Sequence, residues 1–181
     1  MSKTRNLEKT VQLRVERKAV WKALTEGEEI ARWFAPEARS TPGKDGKIVI
    51  SWGPGMEAES PISIWEPERR LQTLPSERGA GHIPMTIDYF LEGEGGSTTL
   101  RLVHSGFAVG AEWEEEYDAH ERGWSIFMLN LKHYLERHGG QSCVQSMFTG
   151  ELKGSREETW PKVLRALGFE AKSSSPRPGD T

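Results

Sequence analysis

Two histidines are the residues whose types and positions could do acid–base chemistry in this chain. His104 ends the alternating pattern LRLVH, and His120 follows on the same face of a helical stretch as Tyr117 and Trp124. Two imidazoles that face one pocket could serve as the acid and the base of a cyclase or dehydratase. A lone histidine on an apolar face is more often a hydrogen-bonded wall residue, so we favour that interpretation and predict no catalytic residue.

The other polar motifs predict neither a cofactor nor a metal. The acidic run from Glu112 to Asp118 is typical of a helix N-terminus, and no His or Cys spacing offers a closed set of metal ligands. The segment EGEGGS lacks the following helix and the Lys-Ser or Lys-Thr pair of a phosphate loop, and Ser105 has no G-x-S-x-G frame. Asp88 alternates with Ile87 and Tyr89, which predicts a solvated carboxylate on the opposite face.

Composition predicts an ordinary globular domain of the cytoplasm. The 181 residues are 35% hydrophobic, and the 24 basic residues are interleaved with 27 acidic ones, which leaves no basic stripe for nucleic acid. No apolar stretch approaches the length of a membrane span. Cys143 is the sole cysteine, and the opening MSKTRNLEKT lacks the apolar core of a secretion signal. These features favour a reducing compartment.

A strand and a long helix must position the two histidines. Leu100, Leu102 and His104 alternate on one face of a strand predicted over 98–107, and a helix is predicted over 112–138. Its aromatic stripe comprises Trp113, Tyr117, His120, Trp124, Phe127, Leu131 and Tyr134. A helix with such a stripe packs across the concave side of an antiparallel sheet and can leave a pocket between them.

The chain before that strand predicts short helices followed by consecutive strands. A strand is expected over 11–15, then helices over Ala19–Leu24 and Glu28–Phe34, with Thr25 and Glu28 as a capping box. Further strands are predicted over 47–52, 60–66, 70–74 and 85–91. Because no helices cross between successive strands, the pattern predicts an α+β fold with an antiparallel sheet.

Four segments in this order resemble a known superfamily. They are AVWKALTEGEEIARWF, ISIWEPERRL, TTLRLVHSGF and HERGWSIFMLNLKHYLE. Together they are similar to the START-like, or Bet v 1-like (SRPBCC), superfamily, and within it to the domain named after the activator of Hsp90 ATPase. The resemblance covers about residues 7 to 138, and we assign residues 1–140 to this domain. It implies a helix-grip fold, an antiparallel β-sheet wrapped around a long C-terminal α-helix, with two short helices after the first strand.

The chain beyond residue 140 is predicted to be an extension, residues 141–172, that carries a short helix. Its segment FTGELKGSREETWPKVLRALGF resembles VQLRVERKAVWKAL when Trp160 is aligned with Trp21. It is either a truncated second copy of the domain or an added helix that covers an edge or face of the sheet, and we favour the second outcome. Residues 173–181 are expected to be a disordered tail.

The aromatic-rich faces predict an apolar cavity between the sheet and the long helix. Its proposed lining is Trp33, Phe34, Ile50, Trp52, Ile64, Met85, Ile87, Tyr89, Leu102, His104, Tyr117, His120, Trp124, Phe127, Met128 and Leu131. The polar tips of its tyrosines and histidines are the expected ligand contacts. The alternative is that these side chains simply fill a core. Trp124 is assigned mainly to packing, because the adjacent Gly123 predicts a close approach of helix and sheet.

Three classes of function suit such a cavity. We rank binding of a hydrophobic small molecule or lipid first, a cyclase or dehydratase second, and a chaperone cofactor or other interaction protein third. The family name implies stimulation of Hsp90, but that role belongs to proteins in which this domain is joined to a client-binding domain, which is not visible in this sequence. A homodimer is left open as an assembly.

Overall fold

An antiparallel sheet and a long helix organise the chain. The computed structural model describes residues 4–75, 78–79, 83–144 and 152–168. The strands are β1 (Thr4–Leu13), β2 (Glu37–Thr41), β3 (Lys47–Ser51), β4 (Glu57–Glu66), β5 (Arg70–Thr73), β6 (Arg78–Gly79), β7 (Ile83–Pro84), β8 (Thr86–Glu92) and β9 (Thr98–Ala108). The helices are α1 (Arg17–Thr25), α2 (Gly27–Ile30), α3 (Glu114–Arg137) and α4 (Arg156–Ala166).

Seven strands form one sheet in the order β1-β9-β8-β5-β4-β3-β2, and each neighbouring pair is antiparallel. The first strand therefore pairs with the last, which places Leu7 opposite His104. Strands β6 and β7 pair separately. The α+β helix-grip fold predicted from the sequence is confirmed.

The helix α3 lies against this sheet because its stripe of large side chains is buried there. Trp124, Met128, Leu131 and Tyr134 are buried in the same core as Leu100 and other strand residues. Burial of side chains of this size contributes roughly 1.5–3 kcal/mol each. The predicted spacing of the stripe thus identifies the buried face of the helix.

Polar contacts attach one edge of α3 to β1 and to the turn after it. Lys9 pairs with Glu121, and the Lys132 ammonium donates to the Gln12 carbonyl at 2.7 Å. The backbone N–H of Arg14 donates to the Glu136 carboxylate at 2.9 Å. These contacts lie along one edge of the helix, so they fix the position of α3 relative to β1.

The beginning of α2 corrects one sequence prediction and involves a strand that was not predicted. The predicted capping box of Thr25 and Glu28 is wrong. The helix α2 begins at Gly27, its N-cap residue is Glu26, and the Glu26 side chain makes no capping hydrogen bond. Thr25 instead ends α1, and its hydroxyl donates to the Trp21 carbonyl at 2.7 Å. The Gly27 N–H donates to the Ser40 hydroxyl at 3.1 Å. Ser40 lies on β2, a strand that the sequence analysis missed.

Asp88 is also placed differently from its prediction. It lies on the face of β8 opposite Tyr89, as alternation requires, but it is buried and not solvated. Arg70 donates to its carboxylate at 2.7 and 3.0 Å, and Gln72 donates at 2.8 Å. Both partners come from β5, whose side chains cover the carboxylate. Because its oxygens are occupied by fixed donors, Asp88 is a structural ion pair on the outer face of the sheet.

The chain divides into two units, Met1–Gln145 and Ser146–Thr181. The second contains α4, which begins with a capping box: Ser155 accepts from the Glu158 N–H, and the Glu158 carboxylate accepts from the Ser155 N–H. Its origin as a truncated repeat and its role as a cover for the sheet stay predictions. The predicted tail, 173–181, lies outside the described residues. Within those residues, no helix combines the length and apolar character that a membrane crossing requires.

Candidate functional site

A cavity of about 460 Å³ lies among the short helices, the sheet and α3. Its described walls are Leu24, Ile30, Trp33, Phe34, Ile48, Ile50, Trp52, Ala58, Ser60, Thr73, Pro75, Met85, Ile87, Tyr89, His104, Ala119, His120, Gly123, Trp124 and Phe127. None of these described lining residues is an Asp, Glu, Lys or Arg. The wall is therefore apolar and aromatic, with a few hydroxyl and imidazole groups set into it.

Most of the residues proposed from the sequence lie at this cavity. Those that line it are Trp33, Phe34, Ile50, Trp52, Met85, Ile87, Tyr89, His104, His120, Trp124 and Phe127. Those that do not are Ile64, Leu102, Tyr117, Met128 and Leu131. Ligand contact by any of them stays a prediction, since the structure establishes position and not binding.

Four of the five residues outside the cavity have packing roles, and the fifth, Ile64, lies next to an irregularity of the sheet. Leu102 and Leu131 are fully buried in the core, and Met128 packs with them. The ring of Tyr117 packs edge-on against Phe107, and its hydroxyl donates to a backbone carbonyl of β1. Ile64 follows a register shift in the pairing of β4 with β5, which interrupts the alternation on which its placement was based.

Small residues of α3 open the cavity. Ala119 and Gly123 lie one helical turn apart and both line it. A Cβ atom added to Gly123 would meet no atom within 4 Å, so the predicted close approach of helix and sheet is wrong at this position. The space beside Gly123 is part of the cavity. Two small residues at i and i+4 next to an aromatic stripe are the sequence signal that could have located this opening.

Aromatic rings form one end of the cavity. The Phe34 ring lies 4.4 Å from Phe127, 5.9 Å from Trp52 and 6.0 Å from Trp124, measured between centroids. Trp33 lies beside Phe34 with ring centroids 5.2 Å apart, and its indole N–H donates to the Ala23 carbonyl at 2.8 Å. Offset and tilted rings at these separations attract one another and offer flat faces to a bound ring.

His104 is held in one neutral tautomer. The Trp124 indole N–H donates to His104 Nδ1 at 3.0 Å, and an indole N–H can only donate. Nδ1 must therefore carry a lone pair, which places the proton on Nε2. Burial, with a smaller contribution from His120, lowers the pKa of His104 to about 3. His104 Nε2 is buried without a hydrogen-bond partner among the described residues.

His120 has the opposite tautomer. Its Nδ1 lies 2.9 Å from the Glu116 carbonyl oxygen, which can only accept, so Nδ1 carries the proton when the ring is neutral. Nε2 then carries a lone pair. The two imidazole rings meet edge to face with centroids 5.4 Å apart. When both rings are neutral, His104 Nε2 therefore carries an N–H and His120 Nε2 carries a lone pair.

Tyr89 adds a hydroxyl to the same region. Its ring meets Trp124 edge-on at 6.3 Å, and burial raises the pKa of its phenol. The group therefore stays protonated and neutral at physiological pH. With His104 also neutral, this part of the wall carries hydrogen-bonding groups without a fixed charge.

The described surroundings of the two imidazoles lack the partners of a catalytic dyad or triad. Among the described lining residues, no carboxylate orients either imidazole, and no Ser or Cys lies in hydrogen-bond contact with them. The described chain also holds no group of three or more His, Cys, Asp or Glu side chains placed to bind a metal ion. The geometry provides an apolar space with a polar corner, which consists of the Tyr89 hydroxyl and the imidazoles of His104 and His120.

Comparison with known families matches residues 14–136 to the family described as Activator of Hsp90 ATPase homolog 1-like protein. The chain belongs to this family. The match spans the short helices, the sheet from β2 to β9 and nearly all of α3, and it places the protein in the START-like superfamily. A comparison with curated proteins found no match.

Solved structures show the same fold at low sequence identity. The Aha1 dimer from Colwellia psychrerythraea is 18% identical with a TM-score of 0.64, and the match covers 75% of this chain and 99% of that one. CalU16 from Micromonospora echinospora is 20% identical with a TM-score of 0.61, covering 92% of this chain and 86% of that one. DynU16, described as a putative protein in the dynemicin biosynthetic locus, is 23% identical with a TM-score of 0.60, covering 73% and 47%.

Proposed function

We propose that this protein binds a neutral, hydrophobic, ring-containing small molecule in the cavity between its sheet and α3. The observation that carries the proposal is the cavity itself: about 460 Å³ of space lined by aromatic and aliphatic side chains, with no charged residue among the described lining. Volumes of about 300–1,000 Å³ are typical of small-molecule sites. Apolar walls of this kind gain free energy when a ligand removes them from water.

The rigidity of the walls supports the same proposal. Sheet strands, α3 and the paired short helices all contribute, so little ordering is required when a ligand enters. Burial of apolar ligand surface contributes about 25 cal/mol per Å², which gives useful affinity without a charged partner. DynU16, a structural neighbour with this fold, is described as a putative protein in a biosynthetic locus, which supports a small-molecule ligand.

Titration of intrinsic fluorescence tests the proposal directly. Trp33, Trp52 and Trp124 all line the cavity, so a ligand that enters will change their emission. Fatty acids, sterols and fused-ring aromatic compounds serve as probes, and we expect saturable changes with the fused-ring compounds. Gly123→Phe places a ring in the open space and is expected to abolish the response. Gly123→Ala adds only a methyl group and is the matched control.

Two outcomes contradict the proposal. One is the absence of a saturable response to any of the probes. The other is a response that survives unchanged in a folded Gly123→Phe protein, because binding would then occur elsewhere. Near-ultraviolet circular dichroism of both Gly123 variants establishes that the aromatic packing is intact before the titrations are compared.

A homodimer or chaperone partner is a second candidate, and the outer face of α3 favours it. Ile126 and Leu129 are 59% and 57% exposed and lie three residues apart on this helix. The Colwellia neighbour is described as a dimer. Light scattering across a concentration series, with Ile126→Lys as the variant, tests self-association: a mass that stays monomeric in the wild type contradicts it.

A further inference from the structure

The polar corner of the cavity contains an unmatched donor next to an unmatched acceptor. His104 Nδ1 is occupied by Trp124, which leaves Nε2–H as the free donor of that ring. His120 Nδ1 is occupied by the Glu116 carbonyl, which leaves Nε2 as the free acceptor. His104 Nε2 is buried without a hydrogen-bond partner in the described part of the chain, His120 is partly buried, and both residues line the cavity.

The unpaired N–H of His104 lowers the stability of the protein because it is buried, and a ligand that accepts from it would remove this cost. His104 is only 4% exposed, so its Nε2–H cannot be satisfied by bulk water. A buried donor without a partner costs free energy that a ligand acceptor would recover. The opposite tautomers are fixed by an indole N–H and by a helix carbonyl, so neither neutral ring can change to the other tautomer without breaking an existing bond.

Ligand groups differ in how many of these sites they satisfy. A carbonyl or ether oxygen accepts from His104 but has no proton for His120. A hydroxyl both accepts and donates, so it alone among the simple neutral oxygen groups matches the pair. The rings of Phe34, Trp52 and Phe127 line the same cavity and suit an aromatic body.

We propose that the ligand is a neutral phenol-type molecule, a fused aromatic ring system whose hydroxyl donates to His120 Nε2 and accepts from His104 Nε2–H. This inference rests on the proposed function and names the ligand class of the same cavity. Charged ligands are disfavoured, since the described lining offers no countercharge to an ion taken from water.

Three ligands of one ring system test the hydroxyl requirement in the wild-type protein. The probes are 2-naphthol, 2-methoxynaphthalene and naphthalene, with dissociation constants measured by equilibrium dialysis at pH 7. The hydroxyl can make two hydrogen bonds, the methoxy oxygen one and naphthalene none. Because one net hydrogen bond changes affinity roughly two- to tenfold, we expect 2-naphthol to bind about tenfold more tightly than 2-methoxynaphthalene.

Substitutions of the two histidines separate the donor from the acceptor. His120→Phe keeps a ring but removes the acceptor, and the preference for 2-naphthol over 2-methoxynaphthalene should disappear. His120→Gln supplies a carbonyl oxygen in place of Nε2 and should restore part of the preference. His104→Asn keeps an acceptor for the Trp124 indole but lacks the outer N–H. It should weaken binding of both oxygen-bearing probes by a larger factor than binding of naphthalene.

The outcomes distinguish this inference from the function on which it rests. If none of the three probes binds the wild-type protein, the proposed function fails together with the inference. If all three bind with similar affinity, or if the preference for 2-naphthol survives in folded His120→Phe protein, the cavity binds ligands but the hydroxyl assignment is wrong. The wild-type comparison decides this even where a variant does not fold.

Discussion

The two halves of α3 have the same stripe of large side chains, but the first half lines the cavity and the second half packs into the core. Around His120, Gly123 and Phe127 the helix faces open space, whereas around Met128 and Leu131 it packs tightly into the core. The spacing of large residues is the same in both halves. What differs is the residue beside the stripe, which is small in the first half. Helical periodicity thus identifies the face of α3 that lies against the sheet. The volume of the side chains beside that face decides whether the space between helix and sheet is filled.

The largest expected effect comes from the packed half. Leu131→Ala removes a fully buried side chain and should lower the free energy of unfolding by about 2–5 kcal/mol. Leu129 lies on the exposed face of the same helix, so Leu129→Ala is the control and should change it by about 0.5 kcal/mol or less. Urea denaturation measures both. Similar losses for the two variants would show that the buried and exposed faces of this half of α3 are not as described.

The open half is expected to respond to acid. The pKa of His104 falls from 6.5 to about 3 on folding, so below pH 6.5 the unfolded chain binds a proton that the folded protein excludes. The stability that depends on neutral His104 is complete above pH 6.5 and is lost as the pH falls toward 3. Between pH 7 and 4.5 the loss should reach roughly 2–3 kcal/mol, at up to about 1.4 kcal/mol per pH unit.

Urea denaturation at the two pH values measures this loss in the wild type and in His104→Asn. The difference between pH values should be smaller in the variant, which cannot bind that proton. Equal differences would mean that His104 is not the group responsible, and a His104 ring that titrates near pH 6 by NMR would show that it is not sealed from water.

A smaller effect is expected at the far end of α3. The Tyr134 hydroxyl donates to the Glu29 carboxylate and accepts from the Gly140 N–H at 3.1 Å, which ties α2 to the residues after α3. Tyr134→Phe should lower the free energy of unfolding by about 1–2 kcal/mol, since the ring stays packed and only hydrogen bonds are lost. Ligand affinity should not change, because Tyr134 does not line the cavity. A change in affinity without loss of stability would contradict this division of roles.

The smallest effect is a gain. Gly123→Ala should raise the free energy of unfolding by about 0.5–1 kcal/mol, because alanine favours helix and its methyl group meets no atom within 4 Å. Thermal melting detects the increase. A loss of stability would mean that the space beside Gly123 is already occupied.

The sequence correctly predicted which faces of the strand β9 and of α3 are buried, but it did not predict where space is left between the helix and the sheet. Alternation placed Leu100, Leu102 and His104 on one buried face, and the helical stripe identified Trp124, Leu131 and Tyr134 as buried. Both patterns depend on local geometry that a single chain segment reveals. Whether those faces pack together or enclose a space depends on side chains of elements far apart in the sequence. Gly123, which was predicted to mark a close approach of helix and sheet, lines the cavity instead.

Predictions failed where a partner strand decided the outcome. The pattern around Asp88 gave its face correctly, but Arg70 and Gln72 cover it from a neighbouring strand whose register no local pattern reveals. The segment Glu37–Thr41 has no apolar alternation, so it becomes a strand only because β3 pairs with it. Ligand contact at the proposed site residues stays a prediction that the binding experiments address.

The pairing of the first strand with the last has a consequence for synthesis on the ribosome. Leu13 pairs with Thr98, and Thr4 pairs with Ala108. At elongation rates of about 5–20 residues per second, β1 emerges roughly 5–20 s before its partner strand exists. During that interval its Leu7 and Leu13 side chains, buried in the finished protein, have no native cover. The nascent chain is therefore expected to be most exposed to chaperones and to aggregation until β9 has left the exit tunnel.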